Sequence, residues 1–212
     1  MEYQIYKQEI FEVTQKLVEI DLIRLSAGNI SARLPDGNVA ITPSGLLYEQ
    51  MKPEDIAIID LAGNKLEGEY DPSSEHALHT EIYKTRPDIH ALVHAHSRYA
   101  IAFSTVGMEL PAVCLELLFV GAPIPVAEYQ CPGTREVGTN AAKFFSKRPE
   151  LKGLLLKNHG MVTIGKDLSE AYQNAYNLET GAKIYHLALQ TGERPLPLTP
   201  IQIKDVFSRY KK

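Results

Sequence analysis

Two tight turns narrow the architectures open to this chain. Pro35-Asp36-Gly37-Asn38 separates a strand ending at Arg33 from one at Val39–Thr42, and Ala62-Gly63-Asn64 follows a strand at Ile56–Leu61. Strands joined by so few residues pair antiparallel, because a parallel pair needs a crossover of about a dozen residues or more. A doubly wound parallel sheet is therefore disfavoured.

Helical periods surround these strands. Tyr6, Ile10, Val13, Leu17 and Ile20 predict an amphipathic helix over 3–24. A second helix starts at the Ser73-Ser74 step, with Glu75 in its first turn. A third runs from a Ser97 cap to about Val106, and a fourth covers 134–147. Ala171, Ala175, Leu178, Ala182, Tyr185 and Leu189 mark one face of a long helix from Ser169 to about Leu189, and 199–211 reads as a last one. Leu154–Leu156 and Met161–Ile164 read as strands on either side of an Asn158-His159-Gly160 turn, while 107–133 reads as proline-punctuated loop. With no repeat and no linker, residues 1–212 are expected to form a single domain.

Composition removes several classes. The net charge of −4 leaves no basic excess to neutralise a phosphate backbone, so a nucleic-acid binder is not expected. An anionic small molecule would have to be held by local groups. The longest apolar stretch, Leu117–Ala127, is broken by Gly121, Pro123 and Pro125, so no membrane partner is expected. Cys114 and Cys131 make no disulfide framework and suit a reducing compartment, and a cytoplasmic protein is the reading.

Residues 90–96, His-Ala-Leu-Val-His-Ala-His, alternate as a strand after the Pro87-Asp88 turn. His94 and His96 then share a face, with α-carbons about 6.6 Å apart, close enough for both rings to reach one ion. They read either as a metal pair or as satisfied core histidines. His159 is a third ligand or a turn histidine facing water, with Gly160 permitting unusual backbone angles. Glu75 is a partner for the helix dipole, or a carboxylate that ligates a metal and moves a proton. Gly28-Asn29-Ile30-Ser31, Thr42-Pro43-Ser44-Gly45 and Ser73-Ser74 are ordinary turns, or together a cradle of N–H and hydroxyl donors for one phosphate. His79 lies one helical turn beyond Glu75, but like His76, His90 and His186 it has no partner pattern; the four read as structural or exposed.

Taken in order, GNIS, ITPSG, PSSE, HAH and NHG resemble the class II aldolase/adducin family over nearly the whole chain. The resemblance implies a three-layer α/β/α fold with a largely antiparallel central sheet. It also implies a homotetramer with active sites at subunit interfaces. Under it, His94, His96 and His159 match zinc ligands, though Mn2+ or Co2+ is an alternative ion. Glu75 matches the carboxylate that ligates zinc at rest and shuttles a substrate proton. Asn29, Ser44, Gly45, Ser73 and Ser74 match the phosphate site. The implied activity is cleavage of a ketose 1-phosphate, L-fuculose 1-phosphate or a related deoxy-ketose 1-phosphate, to dihydroxyacetone phosphate and an aldehyde. Sister pentulose-phosphate epimerases usually carry aspartate where this chain has Glu75.

The chain departs from that pattern at one place. The family's aldolases bring in a catalytic tyrosine from the neighbouring subunit where this sequence has Leu115, which cannot donate a proton. The adjacent Glu116 aligns with the acid/base glutamate of related ketose-1-phosphate dehydratases, which makes dehydration the alternative reaction. Tyr210 lies near the family's tail tyrosine. A non-catalytic scaffold of the adducin type is the alternative from another class, and the full ligand set argues against it.

Overall fold

The computed structural model describes residues 3–210. Its strands are β1 (Asn29–Arg33), β2 (Val39–Ile41), β3 (Ala57–Ile59), β4 (Lys65–Glu67), β5 (Ala91–Ala95), β6 (Val126–Ala127), β7 (Gly153–Leu156) and β8 (Gly160–Gly165). Its helices are α1 (Gln4–Glu19), α2 (His76–Thr85), α3 (Arg98–Thr105), α4 (Leu115–Val120), α5 (Arg135–Lys147), α6 (Leu168–Gln190) and α7 (Pro200–Tyr210). The strands form one sheet in the order β4-β3-β2-β1-β5-β8-β7-β6.

Both tight turns join antiparallel neighbours, β1 with β2 and β3 with β4. The sheet is nevertheless mixed, because β6 pairs parallel with β7. The chain between those two strands contains α5, which is the crossover that a parallel pair requires. The loop-like segment 107–133 thus hides α4 and the two-residue β6, both too short to show a period. Strand β4 is exposed at every residue and has no apolar alternation to betray it. Helix α1 stops at Glu19 rather than continuing to 24, since Asp21 and Leu25 adopt positive φ, which a helix cannot hold.

Register separates the faces of the sheet. Ser31 pairs with Leu92 and Leu92 with Ile164, so these three side chains share a face; Val93 and Thr163 share the other. Helix α2 lies on the Ser31 face, where His79 Nδ1 sits 2.6 Å from Ser31 Oγ. Helix α6 lies on the opposite face, where Thr163 Oγ1 donates to the Ala171 carbonyl at 3.0 Å. The three layers follow. Helix α5 packs on α2 through Gly138, where a Cβ would stand 2.4 Å from the Ala77 carbonyl oxygen. Ile30, Ile41, Ile58, Leu92, Leu155 and Val162 are fully buried in the sheet's core. Helix α7 has no buried residue, and Phe207 and Tyr210 set their rings against Phe119 of α4.

Two corrections concern helix starts. Helix α2 begins at His76, so Glu75 is its N-cap residue instead of a first-turn residue, and the Ser73 hydroxyl accepts the Glu75 N–H at 3.2 Å. At α3 the Ser97 side chain does not cap; its hydroxyl turns to Met161 Sδ. Glu179 of α6 accepts the N–H groups of Tyr99 and Ala100, each at 2.9 Å, and so caps α3 from another layer.

Polar groups also fasten α2 to the sheet. Ser31 Oγ lies 2.9 Å from Tyr83 Oη as well as 2.6 Å from His79, and the Arg33 guanidinium stacks 4.8 Å above the Tyr83 ring. His79 is fully buried, and burial is the main cause that pushes it down to about 3.

Two outcomes follow. Gly138→Ala should lose about 1–3 kcal/mol in chemical denaturation, because the new methyl meets a helix backbone that cannot retreat. The second is a pH effect of known sign. His79 titrates at about 3 when folded, against an ordinary value of 6.5, so the unfolded chain takes up the proton first. Its contribution is complete above pH of about 6.5 and is lost as pH falls towards 3, at up to about 1.4 kcal/mol per pH unit. Denaturation of wild type and His79→Gln across that range should show the shallower slope in the variant.

Candidate metal centre

Strand β5 delivers two histidines to one end of the sheet. His94 is fully buried on the α2 face, opposite Asn29 of β1 and Val162 of β8. His96 lies just past the strand end, on the same side, and opens towards solvent. The β7–β8 hairpin supplies the third ring. Asn158 takes the positive φ of 57° in that turn, and the His159 N–H bonds back to the Leu156 carbonyl at 3.0 Å. Gly160 does not serve the turn by its backbone angle. A Cβ there would stand 2.6 Å from the Ala95 carbonyl oxygen and 3.2 Å from both the His94 and His96 rings, so glycine is needed for close approach.

Glu75 enters from the end of α2. Its Oε2 lies 3.0 Å from His94 Nε2, and its Oε1 lies 3.1 Å from His159 Nε2. His94 Nε2 is 3.1 Å from His96 Nε2. One ligand atom from each of these four side chains falls within 4.8 Å of every other.

Protonation identifies what this cluster lacks. His94 Nδ1 sits 2.8 Å from the Met161 carbonyl oxygen, which only accepts, so Nδ1 carries the proton and a neutral His94 presents its Nε2 lone pair inwards. Burial acts to raise the Glu75 carboxyl, but positive charge at the His94 and His159 positions outweighs it and holds the group well below the usual carboxylate range, and a bound cation would supply that charge with the rings neutral. His96 is pushed down to about 4, by burial first and by its histidine neighbours next, which leaves its ring neutral near pH 7. The buried Glu75 Oε1 has no hydrogen-bond partner of its own. Lone pairs facing lone pairs around an orphaned carboxylate oxygen fit a divalent cation, with nitrogen and oxygen donors of the kind that zinc takes.

Next to the cluster is a cavity of about 390 Å³, lined in part by Asn29, Ser44, Gly45, Ser73, Ser74 and Glu75. Two loops are tied side by side to make its floor: Ser44 N–H donates to the Asp71 carbonyl and Ser73 N–H to that of Thr42. Among the described residues, the N–H groups of Gly45 and Ser74 and the hydroxyls of Ser44 and Ser74 have no partner within the chain. Pro132 and Gly133 also line the cavity. All five residues matched to a phosphate site therefore reach one cavity. Asn29 differs from the other four, because its side-chain Nδ2 donates to Glu75 Oε2 at 3.0 Å.

Glu116 is not brought into this cavity. It occupies the first turn of α4, half-buried, beside the 40% exposed Leu115. Burial, with a smaller push from Glu116, raises the Cys114 thiol to about 11, so it is inert near neutral pH. Tyr210 packs on Phe119, away from the four-ligand cluster. His79, read from the sequence as structural or exposed, is buried and connected to the site: its Nε2 lies 2.5 Å from Asn29 Oδ1. The only prior signal was its place one turn after Glu75.

Comparison with known proteins gives the family. Residues 8–186 match the family model for the class II aldolase and adducin N-terminal domain. The chain is 38% identical over 191 residues to a 5-deoxy-D-ribulose 1-phosphate aldolase of Bacillus thuringiensis serovar kurstaki, covering 90% of this chain and 88% of that one. It is 36% identical over 180 residues to an L-fuculose phosphate aldolase of Methanococcus maripaludis, covering 84% and 95%. A solved L-fuculose 1-phosphate aldolase superposes with a TM-score of 0.90 at 38% identity, over 97% of this chain and 96% of that one. With the matched domain spanning the sheet and all four clustered side chains, this chain belongs to the class II aldolase and adducin family, among its aldolases.

Proposed function

We propose that the protein is a zinc-dependent aldolase that cleaves a ketose 1-phosphate, L-fuculose 1-phosphate or a related deoxy-ketose 1-phosphate, to dihydroxyacetone phosphate and an aldehyde. The observation that carries this reading is adjacency: a cluster of three imidazoles and a carboxylate borders a cavity whose floor presents unpartnered N–H and hydroxyl donors. The names of similar proteins, a 5-deoxy-D-ribulose 1-phosphate aldolase and an L-fuculose 1-phosphate aldolase, support the same substrate class.

His94, His96, His159 and Glu75 would hold the ion. A divalent cation there, zinc or alternatively Mn2+ or Co2+, supplies the positive charge that polarises a carbonyl and offsets charge developing beside it. The chain's own groups do the rest. Ser44, Gly45, Ser73 and Ser74 hold the phosphate through hydroxyl and backbone donors at the start of α2, with no lysine or arginine in the cavity lining. Glu75 takes and returns the proton on the carbon beside the carbonyl, for which an ionised carboxylate is the required state.

Glu116 and Leu115 lie outside this chain's own cavity, so a role in chemistry requires a neighbouring copy, as in the homotetramer implied by the family resemblance. A cytoplasmic location is part of the same proposal. Among the described residues no helix is long and apolar enough to cross a membrane.

Purified protein should carry about one equivalent of metal per chain, and His94→Ala, His96→Ala and His159→Ala should each lose it while the circular dichroism spectrum stays native. Full occupancy in any of the three removes that histidine from the site. Glu75→Gln should keep the protein folded and slow turnover by about 10²–10⁴-fold, the usual contribution of a placed acid/base group. It should also slow solvent exchange of the dihydroxyacetone phosphate proton equally. Glu116→Gln should slow cleavage and leave that exchange untouched. Water release with no dihydroxyacetone phosphate from any ketose 1-phosphate tested would favour the dehydratase reaction instead.

A further inference from the structure

Behind Glu75 runs a buried hydrogen-bond chain whose direction is determined from Glu75 to Ser31. Asn29 Nδ2 donates to Glu75 Oε2 across 3.0 Å. That orientation turns Asn29 Oδ1 to His79 Nε2, 2.5 Å away. An amide oxygen only accepts, so Nε2 carries the imidazole proton. The Nδ1 of neutral His79 is then a lone pair and takes the Ser31 hydroxyl proton across 2.6 Å, and Ser31 Oγ lies 2.9 Å from Tyr83 Oη. Asn29 is 3% exposed, and Ser31 and His79 are fully buried, so no water competes for these bonds. Reversing the Asn29 amide would set oxygen against the Glu75 carboxylate and NH2 against a ring N–H, two mismatches in a dry interior.

From this geometry we infer that His79 is a positioning residue for Glu75. By fixing the Asn29 amide it decides that Oε2 is the oxygen held by the protein and that Oε1, orphaned and facing His159, is the one left to a metal or a substrate proton. The inference rests on the reading of Glu75 as metal ligand and base, and adds what aims it. His79 reaches neither the metal cluster nor the cavity wall and acts only through Asn29. Losing an orienting partner of this kind typically lowers metal affinity by about 10–100-fold.

A purely structural His79, useful only for joining α2 to the sheet, predicts something different, and two substitutions separate the cases. Glutamine places an N–H near the position of Nε2 and can still donate to Asn29. Asparagine reaches only as far as Nδ1 and can still meet Ser31, but leaves Asn29 unheld. Each variant keeps one half of the imidazole's bonding. The probe is Co2+, whose binding constant and visible spectrum both report the ligand set without any turnover. His79→Asn should weaken Co2+ by about 10–100-fold and change the spectrum, and His79→Gln should rescue most of both. With a ketose 1-phosphate, kcat should fall in His79→Asn while KM holds, because the phosphate donors of Ser44, Gly45, Ser73 and Ser74 are untouched.

Equal Co2+ affinity in both variants and wild type overturns the positioning role and leaves the metal site standing. Equal loss in both also overturns it, because the donor to Asn29 would then not matter. Wild-type protein that binds no Co2+ overturns the metal reading and this inference with it. Should His79→Asn not fold, Ser31→Ala supplies the test: it frees the His79 tautomer and should weaken Co2+ in the same direction, and unchanged affinity overturns the inference.

Discussion

Lone pairs that face one another inside a protein repel unless a cation stands between them. With neutral imidazoles, the inward nitrogen of His94, the rings of His96 and His159 and the oxygens of Glu75 would be such a set, and one of the carboxylate oxygens is buried without a hydrogen-bond partner. An arrangement of that kind is unfavourable by itself, since an unpaired buried polar atom costs about 1–3 kcal/mol. It persists because the surrounding structure over-determines each position. The Met161 carbonyl holds His94, a closed hairpin turn holds His159, and Asn29 holds Glu75. A bound ion would convert the strain of assembling the set into binding energy.

The sheet's register makes the arrangement possible. Antiparallel pairing of β1 with β5 sets Asn29 opposite His94, and pairing of β5 with β8 brings the hairpin carrying His159 to the same end. A slip of one residue in either pairing would turn His94 to the α6 face and dismantle the site. The absence of a side chain at Gly160 lets β8 start within contact of both β5 rings. Fold and site are therefore one constraint: the central strands cannot be packed differently without separating the ligands.

Electrostatics divides the work between two neighbouring regions. In a chain of net charge −4, the proposed anion cradle would rely on backbone dipoles and hydroxyls at the head of α2, and a cation held by the cluster next to it would concentrate positive charge there. Glu75 sits at the junction of the two, as the N-cap residue of the helix whose N-terminus borders the cradle. One short stretch, from Ser73 to Glu75, thus serves both regions.

The sequence alone carried the helical and strand periods, the antiparallel hairpins, the His-x-His face and the order of polar turns, because each is a local pattern written in a few consecutive residues. Its resemblance to a family then joined them into one set. Short or exposed elements escaped it: β4 lacks alternation, and β6 and α4 are shorter than any period that could reveal them. Tertiary structure decided what spacing could not. It gave Glu75 the cap position and replaced Ser97 with Glu179 as the cap of α3. It assigned close approach, not an unusual backbone angle, to Gly160, and turned His79 from a histidine read as structural or exposed into Asn29's partner. The physical reason is the same in each case. A hydrogen bond between residues 50 apart, such as that of His79 with Asn29, depends on where layers meet, and no local pattern in either segment records it.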